Sequence, residues 1–122
     1  MLVLIIEDKP DNRELVKVSL SSLENEIVTT HDAAHGLELA RERIPNLIVV
    51  DLRLPGGMDG WEMIKLMRAE PELQSASILV TAVEVLPEDR KRAIDAGCDA
   101  FLSKPFLVKE LREIARNLLD DT

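Results

Sequence analysis

A chain of 122 residues, 46% apolar and 31% charged, has the size and balance of one globular domain with a single core rather than of a disordered segment. Its net charge of −8, with 15 basic residues scattered along the chain, argues against direct binding to nucleic acid, which calls for clustered Lys and Arg. No apolar run approaches the roughly 18 residues of a membrane span and no basic, cleavable leader pattern precedes the first strand, so the expectation is a cytoplasmic protein without membrane contact, a single domain over residues 1–122 with no output domain.

The predicted elements alternate regularly. A strand over Val3–Ile6 ends abruptly in Glu7 and Asp8, and Pro10 suits the first turn of a helix running to Leu23. A second strand, Glu26–Thr30, leads to a helix over Ala34–Arg43 that Pro45 stops. The third strand, Leu47–Val50, is continuously apolar and runs straight into Asp51. A helix over Gly60–Ala69 follows, with Pro71 as its stop. The fourth strand, Ile78–Thr81, precedes a helix over Glu88–Ala96 with Pro87 at its start. A weaker strand at Ala100–Leu102 leads to the clearest helix of all, in which Leu111, Ile114, Ala115 and Leu118 share one face and Lys109, Glu113 and Arg116 the other. Five strands alternating with five helices imply right-handed crossovers and a parallel sheet covered on both faces, a three-layer α/β architecture.

That topology brings chemistry together. Strands of a parallel sheet all point one way, so Glu7, Asp8 and Asp51 emerge at the same C-terminal edge, joined by Thr81 and by Lys104 just past the fifth strand. Like charges roughly 4 Å apart repel by about 4 kcal/mol per pair at an effective dielectric of 20, which a hard divalent cation relieves. Mg²⁺ is the natural choice, because it prefers oxygen ligands. A carboxylate so placed can attack a phosphoryl group, provided the transferring oxygens are neutralised by metal and fixed donors. Asp51 is the best nucleophile, Glu7 and Asp8 the metal holders, and Lys104 and the Thr81 hydroxyl the donors to phosphoryl oxygens.

In this order the motifs "IIEDKPDNREL", "IVVDLRLP", "MDGWEMI", "LVTA" and "AGCDAFLSKPF" resemble those of response-regulator receiver domains, the phospho-accepting modules of two-component signalling. The resemblance runs from Leu2 to about Leu119. It implies a flavodoxin-like sheet of order 2-1-3-4-5, and Mg²⁺, with Mn²⁺ able to substitute, held by Glu7, Asp8, Asp51 and the backbone carbonyl of Arg53. It also implies phosphorylation at Asp51, a cis bond before Pro105, and a phosphoryl donor that is a histidine kinase or a histidine phosphotransfer protein. A switch is implied too: the Thr81 hydroxyl moves toward the phosphoryl group and Phe101 rotates inward, altering the face of the fourth helix, fifth strand and fifth helix for an output protein the sequence does not name. A phosphorylation-dependent homodimer is one form that response could take. No enzymatic turnover is expected beyond the chain's own phosphorylation and dephosphorylation.

Two rival readings are weaker. An aspartate-based phosphohydrolase usually needs a second Asp two residues after the first, where this chain has Arg53. A degenerate receiver that binds partners without phosphorylation usually lacks one of the acidic pair, the Asp, the Thr or the Lys, and all are present. The chain departs from the receiver pattern in three ways. "PGGMD" lengthens the loop after Asp51 by one residue, "TAVEVLPEDR" lengthens the approach to the fourth helix and leaves the register of Val85 and Leu86 open, and Arg53 and Val83 occupy the positions that tune loss of the phosphoryl group. His31 and His35 lie four apart, but the segment straddles a strand end and no third metal ligand is evident, so they are read as exposed histidines. Trp61 is expected to pack along the third helix, and Cys98 to be a small buried apolar side chain.

Overall fold

The structure, a computed structural model, describes residues 1–21, 26–83 and 86–120. Five strands, β1 (Leu2–Ile6), β2 (Glu26–Thr30), β3 (Leu47–Asp51), β4 (Ser77–Val83) and β5 (Ala100–Lys104), alternate with five helices, α1 (Pro10–Ser21), α2 (Ala33–Arg43), α3 (Gly60–Arg68), α4 (Pro87–Ala96) and α5 (Val108–Asp120). All strand pairs are parallel, in the order β2-β1-β3-β4-β5. This is the flavodoxin-like arrangement expected from the sequence. The predicted end of the first helix at Leu23, and Val85, lie outside the described residues.

The uninterrupted apolar runs follow from burial on both sides. Along β1 and β3, Leu4, Ile6, Ile48 and Val50 face a core completed by α2, α3 and α4, whereas Val3, Ile5, Leu47 and Val49 face a second core under α1 and α5. Strand side chains alternate, so a strand covered on both faces has no polar positions to spare. On α5 the period seen in the sequence places Leu111, Ala115 and Leu119 inward, where each fully buried Leu stabilises by about 1.5–3 kcal/mol.

Helix ends show where local chemistry fixed the boundaries. Asp32 caps α2 by accepting the His35 amide, which starts the helix one residue earlier than predicted. Pro71 does more than stop α3: it opens a single 3-10 turn, Pro71–Leu73, which seats the buried Leu73 beneath α3. At the end of α4, Gly97 takes φ of 115°, a left-handed conformation favourable only for glycine, and leaves room for the stem of Arg68, whose Cγ would lie 2.6 Å from a Cβ at this position. Among the described residues no helix is long and apolar enough to cross a membrane.

Cys98 is buried as expected, and its thiol is pushed up to about 11, first by burial and then by the neighbouring charge of Asp99. Since the thiolate is the reactive form, alkylation by iodoacetamide at neutral pH should be slow in the native protein and fast in urea. Equal rates followed by intact mass would show that the thiol is accessible after all.

Candidate functional site

The C-terminal edge of the sheet assembles the predicted residues from four strands. β1 ends at Ile6, and the next residue, Glu7, is fixed through its backbone: its amide donates to the Thr30 carbonyl at 3.0 Å, and its carbonyl accepts from Arg13 Nη1 at 3.0 Å. Asp51 closes β3 opposite Thr81 in the β4 register, and Lys104 closes β5. Asp51, Thr81 and Lys104 are therefore placed by the sheet itself, and Glu7, one residue past β1, by its backbone bond to β2. The approach of α3 is equally constrained, since a Cβ at Gly60 would stand 2.7 Å from the Asp51 carbonyl oxygen.

Carboxylate oxygens of Glu7, Asp8 and Asp51 lie within 4.8 Å of one another. Lys104 Nζ donates to Glu7 Oε1 at 2.6 Å and to Asp51 Oδ2 at 2.7 Å. The other Asp51 oxygen, Oδ1, accepts the Arg53 amide at 3.0 Å. Glu7 and Asp51 are both buried, at 3% and 6% exposure, and Glu7 Oε2 is buried with no hydrogen-bond partner among the described residues. Burial raises the Glu7 pKa above the usual carboxylate range, and the charge and hydrogen bonding of Asp51 add to this while Lys104 works against it. For Lys104 burial alone would lower the pKa, but the hydrogen bonds it donates to Asp51 and Glu7 outweigh it and the group is held protonated.

The donor set suits a divalent cation. Three carboxyl groups converge on one ammonium in a half-enclosed site, and the Glu7 oxygen with no partner among the described residues is an acceptor suited to a positive group. All the candidate ligands are oxygens, the preference of Mg²⁺ rather than of softer metals. These groups line a cleft of about 500 Å³ whose rim carries Asn12, Leu15, Arg53, Val83 and Phe106.

The remaining predicted residues are found as follows. The Lys104–Pro105 peptide is cis. Thr81 is buried, 3% exposed, beside Asp51 in the sheet. Phe101 lies inward in the α2–α3–α4 core, with the Arg90 guanidinium 5.2 Å from its ring centroid. Arg53 meets the site through its amide, and its side chain is exposed at the rim. Gly56 and Gly57, in the lengthened loop, have open space around them. Trp61, on α3, is partly buried against the core and receives Arg92 of α4, 4.3 Å from its ring. Sequence reading missed Arg13, one turn into α1, whose only signal is a long cation six residues after Glu7. It also assigned Lys104 to the phosphoryl group alone, whereas here it bridges two carboxylates.

Comparison with known proteins agrees with this geometry. The family model described as the response regulator receiver domain matches residues 3–116. The chain is 30% identical over 119 residues to the polar-differentiation response regulator DivK of Brucella anthropi, covering 98% of this chain and 96% of that protein. Its fold superimposes on the chemotaxis response regulator CheY4 of Vibrio cholerae with a TM-score of 0.89 at 26% identity, covering 97% of this chain and 98% of the other. A CheY-like receiver domain protein from Methanospirillum hungatei gives a TM-score of 0.89 at 23% identity, covering 98% and 94%.

Proposed function

This chain belongs to the response-regulator receiver family, and from that membership we propose that it accepts a phosphoryl group from a phosphohistidine onto Asp51 in a Mg²⁺-dependent step. The observation that carries the reading is the bridge from Lys104 Nζ to Glu7 and Asp51, beside a buried Glu7 oxygen with no partner among the described residues. Glu7, Asp8, Asp51 and the Arg53 carbonyl would hold the ion, which when bound neutralises charge on the transferring oxygens. A carboxylate oxygen of Asp51 forms the bond to phosphorus as the phosphorus–nitrogen bond of the donor breaks, and that electron pair returns to the donor imidazole. Lys104, released from its bond to Asp51, then pairs with a phosphoryl oxygen while Glu7 keeps its other contact.

Thr81 stands beside Asp51 to donate its hydroxyl to the new group. Since Phe101 is already inward, the switch works here by retaining that position, with Arg90 of α4 over the ring as the link to the outer face. Phosphorylation thereby adjusts the surface of α4, β5 and α5, where Leu86 and Ile94 are exposed, for an output protein or a second copy of the chain. The donor is a histidine kinase or histidine phosphotransfer protein and the setting the cytoplasm. The chain does not turn over an external substrate.

Incubation with Mg²⁺ and acetyl phosphate, followed by intact mass, tests this. One stable added phosphoryl group supports the reading, its absence favours a phosphorylation-independent module, and continued release of phosphate indicates a hydrolase. The lifetime of the adduct is a separate expectation. A water attacking the phosphoryl group needs an acceptor to orient it, and the rim offers cationic Arg53 and apolar Val83, the latter 58% exposed at the cleft. Loss of the group after removal of donor should take minutes or longer, and Val83→Gln should shorten it several-fold. A half-life of only seconds in the parent chain would refute the idea.

A further inference from the structure

Three residues, Glu7 to Lys9, join β1 to α1, and the first two carry carboxylates of the acidic cleft. Asp8 sits in the middle of this link, where the flanking peptides rather than a strand or helix set the direction of its side chain. Both carbonyls that bracket it are held by Arg13. The Arg13 amide donates to the Lys9 carbonyl at 2.9 Å, a first-turn bond that any residue but proline would make there, and Nη1 donates to the Glu7 carbonyl at 3.0 Å, which needs a long donor side chain. Asn12, Leu15 and Val16 are the α1 residues that line the cleft, so Arg13 reaches the link from behind it.

On the strength of the Mg²⁺ site proposed above, on which this role rests, we propose that Arg13 is a positioning residue for the ion, turning the Glu7–Asp8 peptide so that the Asp8 carboxylate meets those of Glu7 and Asp51. Mg²⁺ tolerates little departure from octahedral geometry, and groups that orient metal ligands typically contribute about ten- to a hundredfold to affinity. A charged donor binds a carbonyl more strongly than a neutral one, which suits a bond that must hold a peptide plane beside a crowd of like charges. The charge of the guanidinium works in the opposite sense. A cation beside the link repels an incoming ion, so its removal alone would tighten Mg²⁺ binding. A weaker site after truncation therefore reports lost orientation and not lost charge.

Melting temperatures of the full chain over a range of MgCl₂ concentrations, with no phosphoryl donor present, test this. Each series yields a dissociation constant by linkage. Arg13→Met should raise that constant about tenfold, and Arg13→Lys, which keeps a charged donor, should recover most of the difference. A merely structural role would lower the melting temperature by the same amount at every Mg²⁺ concentration and leave the constant unchanged. That result, tighter binding in Arg13→Met, or an Arg13→Lys no better than Arg13→Met would overturn the assignment. If the parent chain itself does not respond to Mg²⁺, the metal site fails and this role with it. If the parent responds and Arg13→Met responds equally, this role alone fails.

Discussion

Asp51→Asn incubated with Mg²⁺ and acetyl phosphate should end at its starting mass, while the parent chain gains one phosphoryl group. The amide nitrogen is not a nucleophile, and its oxygen lacks the negative charge that attacks phosphorus. The substitution should leave the fold intact, because the two contacts that seat the side chain are only partly lost. An Asn oxygen can still accept the Arg53 amide now 3.0 Å from Oδ1, and Lys104 retains Glu7 at 2.6 Å. Its second effect is on metal. In the parent chain Mg²⁺ at a hundredfold excess over its dissociation constant should add about 2.7 kcal/mol of stability by linkage. Removing one of three clustered carboxylates weakens that affinity, so the rise in melting temperature with Mg²⁺ should shrink in the variant. Undiminished phosphoryl uptake in Asp51→Asn would place the acceptor elsewhere and remove the basis of the proposed function.

The same cluster shows how far a sequence speaks for itself. Alternating apolar runs ending in acid were enough to infer a parallel sheet and to bring Glu7, Asp8 and Asp51 to one edge, because period and strand direction are properties of the chain alone. The fifth strand was the weakest signal, since only Phe101 and Leu102 of its five residues are buried, and it runs on to Lys104. What the pattern could not report was hydrogen bonding. Nothing in the spacing of Asp32 and His31 announces that one carboxylate will serve a helix amide and two imidazoles, and Arg13 reads as an ordinary solvated cation until the Glu7 carbonyl is found beneath it. Hydrophobic periodicity records which face is buried. It is blind to which carbonyls need a donor.

Arg68 is the largest instance of that blindness, and Arg68→Ala should be among the most destabilising single changes in the chain. Its guanidinium donates to the carbonyls of Gly97 at 2.8 Å, Ala76 at 2.8 Å and Leu73 at 3.1 Å, and to Asp99 Oδ2 at 2.8 Å. Asp99 in turn accepts the Ile78 amide at 2.7 Å and donates its own to the Ile78 carbonyl at 2.8 Å. One side chain thus ties the end of α3, the 3-10 turn, the start of β4 and the approach to β5. Leu73 and Ala76 are buried; the Leu73 carbonyl keeps the Ala76 amide at 3.2 Å, so truncation strands chiefly the Ala76 acceptor, at about 1–3 kcal/mol. Water can reach the Asp99 carboxylate, which is 42% exposed, and this limits the total to about 3 kcal/mol. Urea unfolding should show the midpoint falling with little change in slope, and Arg68→Lys, with a charge but no fork, should recover less than half of the loss. The hub sits at the N-terminal edge of the sheet, opposite the acidic cleft. Phosphoryl uptake by Arg68→Ala, measured well below its melting temperature, should therefore match the parent chain, and a stability loss under about 1 kcal/mol would mean that water replaces the guanidinium at all of these carbonyls.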